Sequence, residues 1–289
     1  MTKKSVGFLI ILYFFYLFPI KVSGQSLQEY EDKLKNLFIE LRLQKTDAAI
    51  DSVNNLILPV FKRALNSEEA FSYDFEKLDN ISKLISDNYK LKIYNWNVQY
   101  KNGTFKYFGF LHYKLNKTEF KVIELFDKSE EIEKPENKVL NSKNWYGAFY
   151  FKIIVKKYKG VVYYTLLGWD GNDIFTNKKL IETLSFSEEG MPTFGVPILS
   201  FKERKQNRVI FEFTEQASML LRFDEKENMI VWDRLAPSKK ELEGNPIYYG
   251  PSFIYDGLSF EKGLWIFYDD LDMKNEKEDK SEKNLKYGY

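Results

Sequence analysis

The sequence contains no cysteine and a single histidine, His112. The absence of cysteine excludes disulfide bonds, thiolate metal sites, iron–sulfur clusters and cysteine nucleophiles. A single histidine excludes zinc sites built from two or three histidines, and it leaves His112 as the only candidate base for a Ser-His-Asp triad. The folded chain must therefore be stabilised by its packed core, without covalent cross-links.

The sequence also lacks an excess of charge of either sign, with 43 Lys and Arg against 42 Asp and Glu. Because nucleic-acid-binding proteins present a basic stripe, we expect no nucleic acid partner. Neither G-x-G-x-x-G nor the P-loop pattern occurs, and no G-x-S-x-G elbow is present. Nucleotide-dependent chemistry therefore has no support in the sequence.

The one long hydrophobic run lies at the N-terminus. Two lysines precede an apolar stretch over residues 6–20, and Val22 and Gly24 are small enough for the −3 and −1 positions of a cleavage site before Gln25. A spanning helix needs roughly 20 apolar residues, and this run is shorter, so we favour cleavage over an uncleaved membrane anchor. We predict a signal peptide over residues 1–24, a periplasmic or secreted protein, and no integral membrane span after cleavage.

The first part of the mature chain has helical periodicity. Apolar side chains recur at spacings of three and four, which predicts two amphipathic helices, the second of them bent or ended by Pro59. A third short helix is predicted between Asp74 and Asn88. The apolar residues that suggest this third helix are Phe75, Leu78, Ile81 and Ile85.

Beyond residue 88 the sequence alternates as strands do, and short turns separate the apolar runs. The Asn102-Gly103 pair predicts a hairpin turn, and such short turns join antiparallel strands only. We therefore predict an α+β fold that is mainly antiparallel β. A helical cap (25–88) packs on a β-meander sandwich or twisted sheet (89–268), and a charged, disordered tail (269–289) follows.

An aromatic residue followed by Asp recurs six times near predicted strand ends. A packed aromatic that ends a strand and an Asp that begins a turn explain the pattern. A β-propeller is the alternative, although its blades would recur at a nearly constant period and these spacings are irregular. The six pairs are Phe126-Asp127, Trp169-Asp170, Phe223-Asp224, Trp232-Asp233, Tyr255-Asp256 and Tyr268-Asp269.

The best candidate for a metal site follows Trp169. Asp170, Asn172 and Asp173 place three oxygen-bearing side chains within four residues, and Gly171 permits a sharp turn. Calcium takes six to eight oxygen ligands, so this segment could supply half of a calcium site. An ordinary hairpin turn, in which these side chains bond to the local backbone, is the favoured interpretation.

Four aromatic residues are candidates for ligand binding by stacking: Trp169, Tyr248, Tyr249 and Tyr255. The last three belong to a dense aromatic turn that also contains Phe253. Exposed, this turn could stack on a sugar or a peptide; buried, it would plug a corner of the sheet. We favour burial.

His112 could act as a general base, but an apolar neighbourhood favours a histidine in or beside the core. Glycoside hydrolysis needs two carboxylates at a defined separation. Five acidic residues near predicted strand ends are available for such a pair: Asp170, Asp173, Glu215, Asp233 and Asp256.

Three stretches together resemble an uncharacterised family of secreted proteins from Bacteroidota. They are YYTLLGWDGND (163–173) with residues 176–179, RVIFEFTEQASMLLRFDEKENMIVWD (208–233) and YYGPSFIYDGL (248–258). The resemblance extends over the β part, residues 90–268. It implies export, and it assigns no activity, cofactor or catalytic residue.

These observations predict a non-enzymatic, exported binding or envelope-associated protein whose partner is an envelope protein or a glycan. The first alternative is a carboxylate-based hydrolase that acts on a glycan or a peptide, with calcium as its only candidate cofactor. The second alternative is a structural envelope component that oligomerises through its helical segment, residues 26–65.

Overall fold

The computed structural model describes residues 25–201 and 204–272, and the predicted signal peptide lies outside the described residues. Two helices, α1 (Leu27–Leu43) and α2 (Asp47–Leu65), precede fifteen strands in the described residues. The strands are β1 (Ser82–Ile85), β2 (Leu91–Gln99), β3 (Phe105–Lys114), β4 (Phe120–Phe126), β5 (Phe149–Tyr158), β6 (Val161–Asp170), β7 (Thr176–Phe186), β8 (Pro192–Phe194), β9 (Leu199–Phe201), β10 (Arg204–Gln206), β11 (Arg208–Thr214), β12 (Leu221–Asp224), β13 (Met229–Pro237), β14 (Tyr249–Glu261) and β15 (Leu264–Leu271).

Both helices begin at residues that satisfy their free N–H groups. Ser26 and Glu29 form a capping box at the start of α1, in which each side chain accepts from the other residue's backbone N–H. Thr46 accepts from the N–H of Ala49 at 3.2 Å and caps α2. Pro59 lies inside α2, which continues for six more residues to Leu65.

The strands form three sheets in which sequence neighbours mostly pair antiparallel. The first sheet has the order β1-β2-β3-β4, and the second has the order β11-β7-β6-β5, with β8 beside β7. The third has the order β10-β9-β15-β14-β13-β12, and only the β9–β15 pairing is parallel among the pairings of the described strands. These sheets form a sandwich with the helices packed at one side, and over the described residues they close into neither a barrel nor a propeller. The predicted fold class is confirmed.

Three apolar cores separate four layers. The first core lies between the helices and the first sheet, where Phe38 of α1 and Phe61 of α2 pack on Trp96 of β2 at ring distances of 5.4 and 5.9 Å. The second core joins the first and second sheets through residues such as Leu111 and Leu166. The third joins the second and third sheets. It includes Ile154, Leu167, Ile181, Ile230, Leu258 and Trp265.

A buried ion pair links two strands of the second sheet. Glu182 on β7 lies directly opposite Arg208 on β11, and both side chains are fully buried. The guanidinium donates to the carboxylate through Nε at 2.8 Å and through Nη2 at 3.3 Å. Its Nη1 donates to the backbone carbonyls of Pro135 and Lys138, so the same side chain holds the long loop between β4 and β5.

The predicted third helix is wrong. Residues 67–81 form turns, and β1 follows at Ser82. Phe75 has a left-handed backbone with φ of 48°, which no continuous helix contains. The first core nevertheless contains three residues of this segment, Phe75, Leu78 and Ile81, as buried side chains. Their spacing therefore reflects burial against one core, which a series of turns satisfies as well as a helix does.

The aromatic–Asp pairs divide into two groups. Phe126, Asp170 and Asp224 stand at the ends of β4, β6 and β12, as predicted. The other three pairs lie inside strands of the third sheet, where β13, β14 and β15 all change register. The chain continues in β15 to Leu271, so the predicted tail begins later than residue 269, and residues 273–289 lie outside the described part.

Candidate functional site

The predicted calcium segment forms a tightly hydrogen-bonded turn after β6. Asp170 is buried, and it accepts from the hydroxyl of Tyr107 at 2.9 Å and from the backbone N–H of Asn172 at 2.8 Å. Asp173 accepts from the backbone N–H groups of Phe175 and Thr176 at 2.7 and 2.9 Å. The bonds from the backbone N–H groups are local turn bonds of the kind that Asp residues form without a metal, whereas the bond from Tyr107 ties the turn to β3.

The amide oxygen of Asn172 also accepts a hydrogen bond from a protein donor. The ammonium of Lys178 donates to Oδ1 of Asn172 at 2.7 Å, which places a positive charge where a cation would bind. Within residues 25–201 and 204–272, no three His, Asp or Glu side chains are grouped so that they could hold a metal ion. Each of the three side chains therefore has at least one oxygen that already accepts from the protein.

We expect calcium to leave the thermal unfolding midpoint unchanged. Asp170→Asn should lower the midpoint equally with calcium and with chelator, by the equivalent of about 1–3 kcal/mol, because it weakens the buried bonds to Tyr107 and Asn172. Thermal melts of both proteins in calcium and in excess chelator check this. A calcium-dependent rise that Asp170→Asn abolishes would establish a metal site.

The carboxylates considered for hydrolysis are mostly bound to neighbouring donors. Asp233 accepts from the N–H of Leu220 at 2.6 Å, and Asp256 is paired with Arg234. Asp170 and Asp173 serve the turn described above, and Glu215 is exposed after β11. Asp170, Asp173, Asp233 and Asp256 therefore each accept at least one hydrogen bond from the protein.

His112 lies in the interior, as the favoured interpretation predicts. It is 2 % exposed on β3, and its ring lies 4.9 Å from that of Phe71, edge to face. Its Nδ1 has no hydrogen-bond partner in the described residues, and no hydrogen bond there joins it to a carboxylate. Burial, with a smaller effect of the charge on Lys92, lowers the pKa of His112 to about 4. The side chain is neutral at pH 7, and it lacks the acidic partner of a catalytic triad.

The aromatic turn is exposed at its centre, so the favoured prediction of burial is wrong. Phe253 is 91 % exposed and Tyr248 is 43 % exposed. The neighbouring Ile247 and Ile254 are exposed as well. We call residues 247–254 the aromatic segment. It presents an apolar surface where most soluble proteins place polar side chains.

The other predicted stacking residues are less accessible. Tyr249 and Tyr255 are half-buried, and the hydroxyl of Tyr249 accepts from the N–H of Gly244 at 3.0 Å. Trp169 is also half-buried, and it belongs to the second sheet, where its ring packs edge-on against Phe105 at 5.4 Å. The four candidates therefore do not form one aromatic platform.

A bulge in β14 produces the exposure of Phe253. Asp233 pairs with Tyr255 and Leu235 pairs with Pro251, so residues 252–254 all stand opposite the single residue Arg234. Extra residues in one strand leave the ladder and redirect side chains. Phe253 occupies the left-handed region with φ of 61°, which is an outlier for a bulky side chain.

Arg234 fixes the bulge from the opposite strand. Its guanidinium donates to both oxygens of Asp256 on β14, through Nε at 2.9 Å and through Nη2. Its Nη1 lies 2.8 Å from Oδ1 of Asp270 on β15, at the second register change. One side chain thus connects three strands where their registers break. The bulge is therefore held in place by specific ion pairs between strands of the third sheet.

The sequence alone gave no reason to single out Phe253 within the turn. Its position depends on a register change between strands that are separated by a long loop, and no local motif announces that change. The only local signal is the density of large apolar residues around Gly250 and Pro251, and this density is equally typical of a corner that packs into the core.

Comparisons of the chain with models of protein families, with curated proteins and with solved structures found no match. In the part of the chain that the structure describes, neither helix has the length and apolar character needed to cross a membrane.

Proposed function

We propose that the protein is an exported, non-enzymatic binding protein that recognises another protein of the cell envelope. In this proposal the aromatic segment enters an apolar pocket of the partner. The observation that carries the proposal is the position of Phe253, which is almost fully exposed on a strained bulge.

Neither the exposure of the Phe253 side chain nor its strained backbone stabilises the isolated fold. Burying a phenylalanine side chain is worth roughly 1.5–3 kcal/mol, and this side chain forgoes that gain. A left-handed backbone at a residue other than glycine costs about 1–3 kcal/mol more. Strained, exposed positions of this kind cluster at functional sites. Binding in an apolar pocket recovers the burial that folding leaves unused.

The surroundings of Phe253 have the composition of a protein interface. Aromatic residues are enriched at the centres of interfaces, where a few side chains carry most of the binding energy, and a polar rim surrounds these centres. Ile247, Tyr248 and Ile254 flank Phe253 within one segment, and the charged Arg234 and Asp270 stand beside the bulge. Since roughly 3.3 Å separate successive residues of a strand, the segment spans less than about 25 Å. A single partner can cover it.

A protein partner suits these side chains better than a glycan does. Sugar rings stack on flat aromatic faces and also need hydrogen-bonding groups around them. Three of the four exposed side chains, those of Ile247, Phe253 and Ile254, carry no polar atom. Export itself is supported by the N-terminal residues 1–24, whose pattern is that of a signal peptide.

Phe253→Ala is expected to weaken partner binding at least about 30-fold while leaving the thermal midpoint unchanged or higher. The loss corresponds to removal of a hot-spot side chain, about 2 kcal/mol or more. The chain from Gln25 onward, immobilised, would capture partners from a detergent extract of the envelope, and binding of each purified partner would then be titrated.

Phe126→Ala is the matched control, because Phe126 is also exposed but lies at the end of β4 in the first sheet. This control should retain full binding. A captured partner whose affinity is the same for Phe253→Ala and for the original protein contradicts the proposal. If a purified glycan binds and its binding requires Phe253, the partner is a glycan and not a protein.

A further inference from the structure

A cavity lies on the face of the first sheet that is turned toward the helices, far along the chain from the aromatic segment. Its volume is about 180 Å³, which is several times the roughly 30 Å³ share of a water molecule. The cavity is lined by Asp74, Lys83, Leu84, Ile85, Lys92 and Tyr94.

The hydroxyl of Tyr94 has no hydrogen-bond partner in the described residues although it is buried. Tyr94 is 2 % exposed, and its ring packs in the first core against Phe61 at 5.3 Å and Phe75 at 5.7 Å. Burial raises the pKa of Tyr94 well above its usual value, so the group remains an O–H donor. A buried polar group without a partner costs stability, and most such groups in proteins have one.

Two ammonium groups line the same cavity. Lys83 on β1 lies directly opposite Tyr94 on β2, and Lys92 lies two residues before Tyr94 on the same face of its strand. Lys83 donates to the carbonyl of Phe75 at 2.7 Å, and Lys92 donates to that of Tyr73 at 3.2 Å. Lys83 also donates to the carbonyl of Glu76 at 3.4 Å, and Lys92 also donates to Oδ1 of Asp74 at 3.1 Å. Each ammonium has three N–H donors, so one donor of each lysine remains unused.

The positive charge at the cavity is only partly compensated. The side chain of Lys92 is 7 % exposed, whereas its ion-pair partner Asp74, at 3.1 Å, is 74 % exposed. Asp74 is also part of the cavity lining, so its carboxylate offsets one of the two positive charges there. The cavity carries one net positive charge, because Lys83 and Lys92 are opposed by Asp74 alone among its lining residues. Together with the unused hydroxyl donor of Tyr94, this charge disfavours cations and favours anions.

We propose that this cavity binds a small oxyanion of the size of phosphate, which accepts hydrogen bonds from the Tyr94 hydroxyl and from the ammonium groups of Lys83 and Lys92. The ligand supplies the partner that the Tyr94 hydroxyl lacks. The shared chemistry is that of a phosphate group, either as the free ion or as a phosphate ester.

Titrations of the chain from Gln25 onward with inorganic phosphate test the proposal, with sodium chloride at matched ionic strength as the blank. Phosphate is expected to raise the thermal midpoint, because it binds the folded state only. Sodium chloride is expected to leave the midpoint unchanged. Glycerol 3-phosphate, titrated in parallel, distinguishes an ester from the free ion. A response to either one that the variants below weaken supports the proposal, and the absence of both responses overturns it.

Tyr94→Phe separates binding from folding. Because the hydroxyl has no partner, the variant without phosphate should be as stable as the original protein or more stable. Its affinity for phosphate should fall roughly tenfold, the effect of losing one hydrogen bond to a charged group. Lys83→Gln should reduce the affinity similarly. Lys106→Gln removes the same charge from an exposed position on β3 and should leave the affinity unchanged.

The single histidine provides an independent spectroscopic readout. His112 lies opposite Lys92 in the sheet, and the charge of Lys92 contributes to its low pKa. An anion beside Lys92 offsets that charge, so phosphate is expected to raise the pKa of His112, measured by NMR of the one imidazole. Phosphate binding that is equally strong in Tyr94→Phe and in Lys83→Gln, with no change at His112, overturns the proposal.

Discussion

Arg208→Met is expected to destabilise the protein by about 3–5 kcal/mol, because it leaves the carboxylate of Glu182 buried without its counter-ion. Both side chains are fully buried, so water cannot replace the guanidinium. The variant also removes the hydrogen bonds that Arg208 donates to the carbonyls of Pro135 and Lys138. These bonds hold the loop before β5 in place. Urea unfolding at pH 7, followed by fluorescence of the buried tryptophans, measures the loss.

Arg222→Met is the matched control for this experiment. Arg222 forms an ion pair with Asp224 at 2.7 Å, but its side chain is 46 % exposed. An exposed pair of this kind contributes about 0–1 kcal/mol. The double variant Glu182→Leu with Arg208→Met should recover part of the stability, because it removes the orphaned charge. The recovery is partial, because the loop carbonyls lose their donor and the N–H of Thr183, which donates to Glu182 at 3.1 Å, loses this acceptor. A loss for Arg208→Met no larger than that for Arg222→Met would falsify this account.

Acidification from pH 7 to pH 5 is expected to reduce the stability by about 2 kcal/mol through His112 alone. The pKa of His112 is lowered to about 4 in the folded protein, whereas an unfolded histidine titrates near 6.5. Between these values the unfolded chain binds a proton that the folded chain does not. The contribution is therefore fully present above pH 6.5 and is lost as the pH falls toward 4.

Urea unfolding of the protein and of His112→Phe at pH 7 and at pH 5 measures this effect. Phenylalanine fits an aromatic neighbourhood, since the ring of His112 contacts Phe71 and Phe120 at 4.9 and 5.8 Å. The variant should lose about 2 kcal/mol less than the original protein over this interval. Both proteins carry the same carboxylates, so the contributions of these groups cancel when the two losses are compared. Equal losses in the two proteins count against a buried, neutral His112.

Local sequence signals were sufficient to predict most of the strands. The Asn102-Gly103 turn joins β2 to β3 as predicted, because a two-strand hairpin depends on a few adjacent residues. Residues 74–88 were predicted wrongly because the apolar spacing reports burial but not backbone conformation. Pairing with β2, which lies later in the chain, decides that Ser82–Ile85 is a strand.

The two proposed sites could not be predicted for the same physical reason. The exposure of Phe253 depends on a register change that Arg234, Asp256 and Asp270 fix across three strands. The phosphate cavity depends on the pairing of Lys83 with Tyr94, and Lys83 lies in the segment that was predicted as a helix. Both sites arise from contacts between strands, whereas the sequence patterns report only on neighbours along the chain.

The third sheet cannot assemble until the chain has been synthesised through Leu271, where its last strand ends. Its strand β9 pairs with β15, with Leu199 beside Trp265, and the indole of Trp265 donates to Thr165 in the second sheet at 2.9 Å. Pairings across so many residues form slowly, whereas the helices and the first two sheets are complete by Thr214. Until the last hairpin emerges, the outer face of the second sheet lacks its cover, and the nascent chain presents an apolar surface that must be kept from aggregating.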